Sequence, residues 1–240
     1  MAFTKRTTSF CPAEPEPDGE RSPVLGLRWQ SVALAVLAVL ALVALRAPFL
    51  DGDLLKCDEA VYGVTARAWT QGLLPGRDVW DNKPPGMAAL YLLASHLPGG
   101  TILGSRLLAL LFSAVTLLVT LRLARLIAPK LPVWPVAMAY LLITHANGWF
   151  PAEWVTLNGE LPSTCLVALG VWCLAEWARG KEPRLWPLLV LAGVFSGASI
   201  LFRQTALLPV LAMAGWLVWF GLRTASYRGA FQAIGLAVAG

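Results

Sequence analysis

The sequence predicts an all-α integral membrane protein, a multi-pass helical bundle, and three observations carry that prediction. Hydrophobic residues make up 57% of the chain and charged residues 14%, with a mean hydropathy of +0.64, whereas soluble domains carry roughly 25% charged residues. Apolar runs of about 18 to 20 residues recur along the chain, and at about 1.5 Å per residue each approaches the hydrocarbon core of about 30 Å. The charges gather in the connections between these runs, as they must, because a charged side chain at the bilayer centre is costly.

Taken in order, residues 1–28 carry Lys5, Arg6, Arg21 and Arg28 around a Pro/Glu-rich centre, too polar to bury a core, and read as a disordered cytoplasmic tail. Residues 29–240 then read as one transmembrane domain. Its first span runs from Val32 to Leu50 and contains Arg46. With no small-residue cleavage site after it, it reads as a retained helix rather than a signal peptide. Five further runs follow at Leu103–Leu121, Pro132–Phe150, Leu161–Ala178, Leu185–Phe202 and Thr205–Leu222, and a seventh opens near Gly229. About twelve residues of that last run precede Gly240, too few to cross a bilayer that needs about 20, so the chain reads as a piece of a longer protein.

Alternate connections are basic: Arg122, Arg125 and Lys130; Arg179, Lys181 and Arg184; Arg223 and Arg228. Basic loops mark the cytoplasmic side, which leaves the 51–102 loop, the 147–160 loop and the turn at Arg203 on the external face. Tryptophans near the run ends, among them Trp29, Trp134, Trp149, Trp186 and Trp219, fit an interfacial belt. Gly193 and Gly197 form a small-x-x-x-small pair that would let two helices approach closely. Within the first external loop, Glu59–Gln71 and Pro85–Leu97 are too short to cross and read as two interfacial helices.

The net charge of +5 does not indicate a nucleic-acid binder, because the basic residues fall at run ends rather than in a patch with interleaved aromatics. Cys11, Cys57, Cys165 and Cys173 include no C-x-x-C pair, so neither a zinc site nor a disulfide framework is indicated.

The external loop holds Asp51, Asp53, Asp58, Glu59, Asp78 and Asp81, six of the fourteen acidic residues. Asp58 has two compatible readings: a cap for the helix that follows it, or a general base or cation ligand. Lys83 is followed by two prolines that fix its backbone and start a helix, which would hold its ammonium at the membrane surface beside a phosphate. Arg46, Arg106 and Arg203 all fall at external helix ends, where Lys and Arg are scarce. Each alone reads as a snorkelling side chain. Together with Lys83 they point to a shared anionic partner, since guanidinium groups bind phosphate oxygens in a bidentate fork. Glu160, at the mouth of the fourth span, is either a helix-dipole partner or a second acid that positions an acceptor or a metal.

Asp58-Glu59-Ala60-Val61-Tyr62, Gly72-Leu73-Leu74-Pro75, Arg77-Asp78-Val79-Trp80-Asp81-Asn82-Lys83-Pro84-Pro85, Asn158-Gly159-Glu160 and Phe202-Arg203-Gln204 resemble the polyprenyl-phosphate-sugar-dependent membrane glycosyltransferases of the GT-C superfamily. The nearest group is the bacterial relatives of the protein O-mannosyltransferases and the lipid A aminoarabinose transferase. The resemblance covers about residues 30 to 225. It implies a GT-C-like bundle in a bacterial inner membrane, two interfacial helices in the first external loop, and an active site on the periplasmic or external face.

The donor it implies is a sugar on a polyprenyl phosphate, and the acceptor a lipid, polysaccharide or protein. By that resemblance Asp58 and Glu59 are the catalytic pair, with Asp58 as base. Lys83 and Arg203 hold the lipid phosphate, and position at the external helix ends adds Arg106 and Arg46 as further cations. Glu160, Tyr62 and Asp81 position the acceptor or a metal. Arg203 stands where relatives often carry a lysine. No cofactor is required by the pattern, and a divalent cation is compatible with it. Two rivals from other classes, a multi-pass transporter and a non-catalytic polyprenyl-phosphate-binding protein, would place charge at mid-membrane depth or leave Asp58 dispensable.

Overall fold

The structure is a computed structural model, and it describes residues 23–50, 57–79, 84–145, 155–179 and 186–223. Its helices are α1 (Pro23–Arg46), α2 (Cys57–Thr70), α3 (Gly86–Ser95), α4 (Gly100–Ile127), α5 (Trp134–His145), α6 (Glu160–Arg179), α7 (Trp186–Ile200) and α8 (Leu207–Arg223). A 3-10 turn, Ala47–Phe49, ends α1, and another, Gln204–Ala206, opens α8. No β-strand occurs among the described residues; Pro75 and Val79 form an isolated bridge. The all-α membrane architecture read from the sequence is the architecture found.

Among the described residues, three stretches are long and apolar enough to cross a membrane: Trp29–Phe49, Gly100–Ile127 and Glu160–Arg179. α4 runs further at both ends than its apolar stretch alone suggests, beginning at Gly100 and continuing through Arg122 and Arg125 to Ile127. α1 starts at Pro23, inside the stretch read as tail, with proline in the first turn where its missing N–H costs nothing. α5, α7 and α8 are shorter apolar helices of 12, 15 and 17 residues. Residues 146–154, which take in the end of the run Pro132–Phe150 and part of the external loop, residues 180–185, which take in the basic connection with Lys181 and Arg184, and the run near Gly229 lie outside the described residues.

α6 is the hub, packed on α4 and α7, while α1 packs on α4 and α5. At Gly170 of α6 an added Cβ would lie 3.0 Å from Ser196 Oγ of α7. The close approach is therefore made there and not at Gly197, whose Cβ would meet open space. α2 packs on α3, and α3 on α4. α3 owes its depth to small or slim residues on one face: Gly86, Met87, Ala88, Tyr91 and Ala94 are buried. Ala94 O sits directly against Gly104 of α4. α3 is thus packed inside the chain along one face. Ala89 and Leu93 on its other side stay exposed.

Candidate functional site

The first external loop supplies two helices and the turn between them. α2 begins at Cys57, so Asp58 and Glu59 occupy its first turn, where carboxylates complement the helix dipole. Asp58 is half-buried; Glu59 is buried, with 4% of its surface exposed. Within the turn, Asp78 Oδ2 accepts the Leu74 N–H at 2.9 Å and Asp78 Oδ1 accepts from Arg77 Nε at 3.0 Å. The Arg77 guanidinium, then the Leu74 amide, hold the Asp78 carboxyl below the usual carboxylate range. This exposed aspartate is a turn-former.

Glu59 faces inward, to Arg106 of α4. Arg106 Nη2 lies 3.7 Å from Glu59 Oε2, and Arg106 Nη1 donates to Phe49 O at 2.8 Å. One guanidinium, 1% exposed, therefore ties α4 to the start of α2 and to the turn after α1. Arg106 sits at the helix end the sequence assigned, but its charge is matched within the chain rather than offered to solvent. Arg46 is also buried, at 1% exposure, and interacts electrostatically with Tyr140 and His145 of α5. Its guanidinium nitrogens have no hydrogen-bond partner among the described residues. The contacts of Arg46 and Arg106 are thus with α2, α5 and the turn after α1.

Tyr62 and Tyr91 link α2 to the rest. Their rings lie 5.3 Å apart, within a core cluster that includes Met87, Leu108, Leu157 and Leu161. The Tyr91 hydroxyl donates to Leu157 O at 3.0 Å. Burial, and then the charge of Glu59, push the Tyr91 phenol above the ordinary tyrosine value, so it stays a neutral donor. Tyr62 is accordingly a core residue in this structure. Tyr91, which the sequence shows only as one aromatic in an apolar helix, is what joins α3 to the segment leading into Asn158-Gly159-Glu160.

That segment forms the second wall. Asn158 Oδ1 accepts the Leu161 N–H at 3.3 Å, capping α6. Gly159 lies against the α7–α8 turn, where an added Cβ would stand 2.6 Å from Phe202 O. Glu160 pairs with Arg203 Nη1, and Arg203 Nε donates to Thr205 Oγ1 at 2.9 Å. Both partners are close to half exposed, at 43% and 45% for the side chains. The same turn receives α3: the Gly86 N–H donates to Leu201 O at 3.0 Å, and Gly86 leaves no room for a Cβ against that carbonyl. Pro84-Pro85-Gly86 and Asn158-Gly159-Glu160, far apart in sequence, therefore both meet the turn that carries Phe202-Arg203-Gln204, each through its glycine.

Lys83 and Asp81 lie outside the described residues. Among the described residues, no group of three or more His, Cys, Asp or Glu side chains comes together as a metal site would require. What is assembled is a half-exposed cation, Arg203, with a carboxylate beside it. A guanidinium so placed can exchange a carboxylate for a phosphate oxygen with little change in desolvation.

Compared with known proteins, residues 82–239 match the family described as dolichyl-phosphate-mannose-protein mannosyltransferase. The match takes in Lys83, Glu160 and Arg203, while Asp58 and Glu59 precede it. No curated protein and no solved structure matches. The matched residues span more than half of the chain, and the chain belongs to the dolichyl-phosphate-mannose-protein mannosyltransferase family, membrane glycosyltransferases that use a polyprenyl-phosphate-linked sugar.

Proposed function

We propose that this chain transfers a sugar from a polyprenyl phosphate to an acceptor hydroxyl on the external face of a bacterial inner membrane, with inversion at the anomeric carbon. The observation that carries the reading is the contact of three motif segments at the α7–α8 turn, where Gly86 and Gly159 bring the Pro-Pro and Asn-Gly-Glu segments onto the backbone beside Arg203. In this reading Arg203 and Lys83 hold the donor phosphate, and Glu160 orients Arg203 until the phosphate arrives.

Asp58 is the general base. The acceptor hydroxyl gives its proton to Asp58 and its oxygen bonds to the anomeric carbon, as the bond from that carbon to the phosphate oxygen breaks. The polyprenyl phosphate leaves with the electron pair, and the fixed cations stabilise the charge it gains. Glu59 holds Arg106 and thereby the first turn of α2, so it positions Asp58. A single displacement inverts the configuration.

The test is transfer of labelled sugar from polyprenyl-phosphate donors by membranes holding the chain within its complete reading frame. Wild type should transfer, and Asp58→Asn should lose activity while still binding polyprenyl phosphate. If neither transfers from any common donor while both bind the lipid, catalysis is abandoned in favour of a lipid-binding or transport role.

A further inference from the structure

A cleft of about 490 Å3 lies between α2, the C-terminal half of α3 and the start of α4, away from the Arg203–Glu160 pair. One face of α2 forms its long wall. Glu59, Ala60, Gly63, Ala66, Arg67 and Thr70 line it at helical spacing, and the small residues at 60, 63 and 66 make the room. Gly63 is open enough that an added Cβ would touch only Thr101 Cγ2, at 3.9 Å.

The two charged ends of this wall differ. Glu59 is buried at the floor and held by Arg106. Arg67, about 12 Å along the helix at about 1.5 Å per residue, is exposed and forms no ion pair among the described residues. The rim beside it is apolar and open: Val64 is 65% exposed and Ile102 36%. A volume of this size suits a headgroup rather than a folded partner. An exposed cation at the mouth selects an anion, and apolar rim residues suit attached acyl chains.

We propose that this cleft binds the acceptor, a lipid whose headgroup carries both a phosphate, met by Arg67, and a free hydroxyl, directed toward the Asp58–Glu59 turn. The inference rests on the glycosyltransferase reading above and adds the chemical class of its acceptor. Arg67 sets the polarity of binding: it draws the phosphate to the mouth, and the Glu59 end, charge-matched by Arg106, is left to the hydroxyl.

The probe is dihexanoyl phosphatidylglycerol, titrated onto the full chain in phosphatidylcholine nanodiscs. A monoacylglycerol, which has hydroxyls without phosphate, and an acidic serine-containing peptide serve as comparisons. Phosphatidylglycerol should bind saturably. Arg67→Gln should weaken binding by about tenfold or more, as expected for losing a charge-assisted contact. Arg67→Lys should hold it within about threefold, since the charge survives. Gly63→Val, whose added Cβ meets no backbone beyond its own helix and puts bulk into the cleft, should abolish binding.

The proposal is overturned if phosphatidylglycerol does not bind saturably, if Arg67→Gln binds as wild type, or if the monoacylglycerol or the peptide binds as tightly. Binding that follows Arg67 and Gly63 in a protein that transfers no sugar would overturn the catalytic reading and leave this site standing. Sugar transfer that ignores both residues would do the reverse.

Discussion

Two arginine–glutamate pairs, Glu59 with Arg106 and Glu160 with Arg203, look alike in composition and differ in burial. The first is nearly sealed, with side-chain exposures of 3% and 1%; the second is close to half open. Removing one partner of a sealed pair strands a charge in a low-dielectric interior. An open pair is screened by water and contributes little to stability, which leaves it free to exchange partners. The sealed pair therefore fixes where α2 starts relative to α4, and the open pair is suited to a ligand.

The largest expected effect breaks the sealed pair. Glu59→Gln should cost about 3 kcal/mol or more of stability, because it takes the carboxylate away from the buried Arg106 guanidinium. Thermal unfolding in detergent reads this directly. The double variant Glu59→Gln/Arg106→Met should recover most of the loss, since replacing a buried pair by uncharged groups is often close to neutral. A double variant no more stable than the single one would show that the pair is not what holds the two helices.

Next is Gly86→Ala, which drives a Cβ into Leu201 O where neither backbone can yield. A loss of about 1–3 kcal/mol is expected. Because α3 must move off the α7–α8 turn, transfer should fall even at temperatures where the variant stays folded. Tyr91→Phe removes the donor to Leu157 O and should cost about 1–2 kcal/mol, since it leaves a buried carbonyl unpaired. Hydrogen exchange at the start of α6 should rise with it.

The smallest stability effect belongs to the open pair. Glu160→Gln and Arg203→Gln should each change stability by less than about 1 kcal/mol. Arg203→Gln should nevertheless weaken binding of polyprenyl phosphate by about tenfold or more, as expected for a guanidinium–phosphate contact. If Arg203→Gln unfolds the protein while Glu59→Gln does not, the assignment of structural and ligand-facing pairs is reversed.

Much of the fold is legible along the chain. Hydropathy and length locate α1, α4 and α6, and the proline pair before Gly86 marks the start of α3 to within a residue. Helix ends are less legible. α4 runs on through Arg122 and Arg125 because a helix outlasts its apolar stretch when the next turns remain good helix formers. The site is legible in its parts and illegible in its grouping. Asn158-Gly159-Glu160 and Phe202-Arg203-Gln204 stand out as polar words between apolar runs, but their contact through Gly159 and Phe202 spans more than forty residues of sequence.

Arg46, Arg106 and Arg203 show the limit most sharply. By position all three are cations at helix ends, and nothing local distinguishes them. The structure makes Arg106 a sealed pair, Arg203 an open one, and Arg46 a buried cation facing Tyr140 and His145. Tyr62 and Tyr91 are a similar case: a motif position became core, and an unremarked aromatic became the link to Leu157.

The sequence by itself determined that the chain enters a membrane, where its helices run, and which polar segments interrupt them, because these follow from local hydropathy, length and turn chemistry. Tertiary structure alone decided which arginine meets which glutamate, which tyrosine is core, and which face of α2 opens as a cleft. Those outcomes depend on burial, and burial is set by helices packing across long sequence separations rather than by any residue's neighbours in the chain.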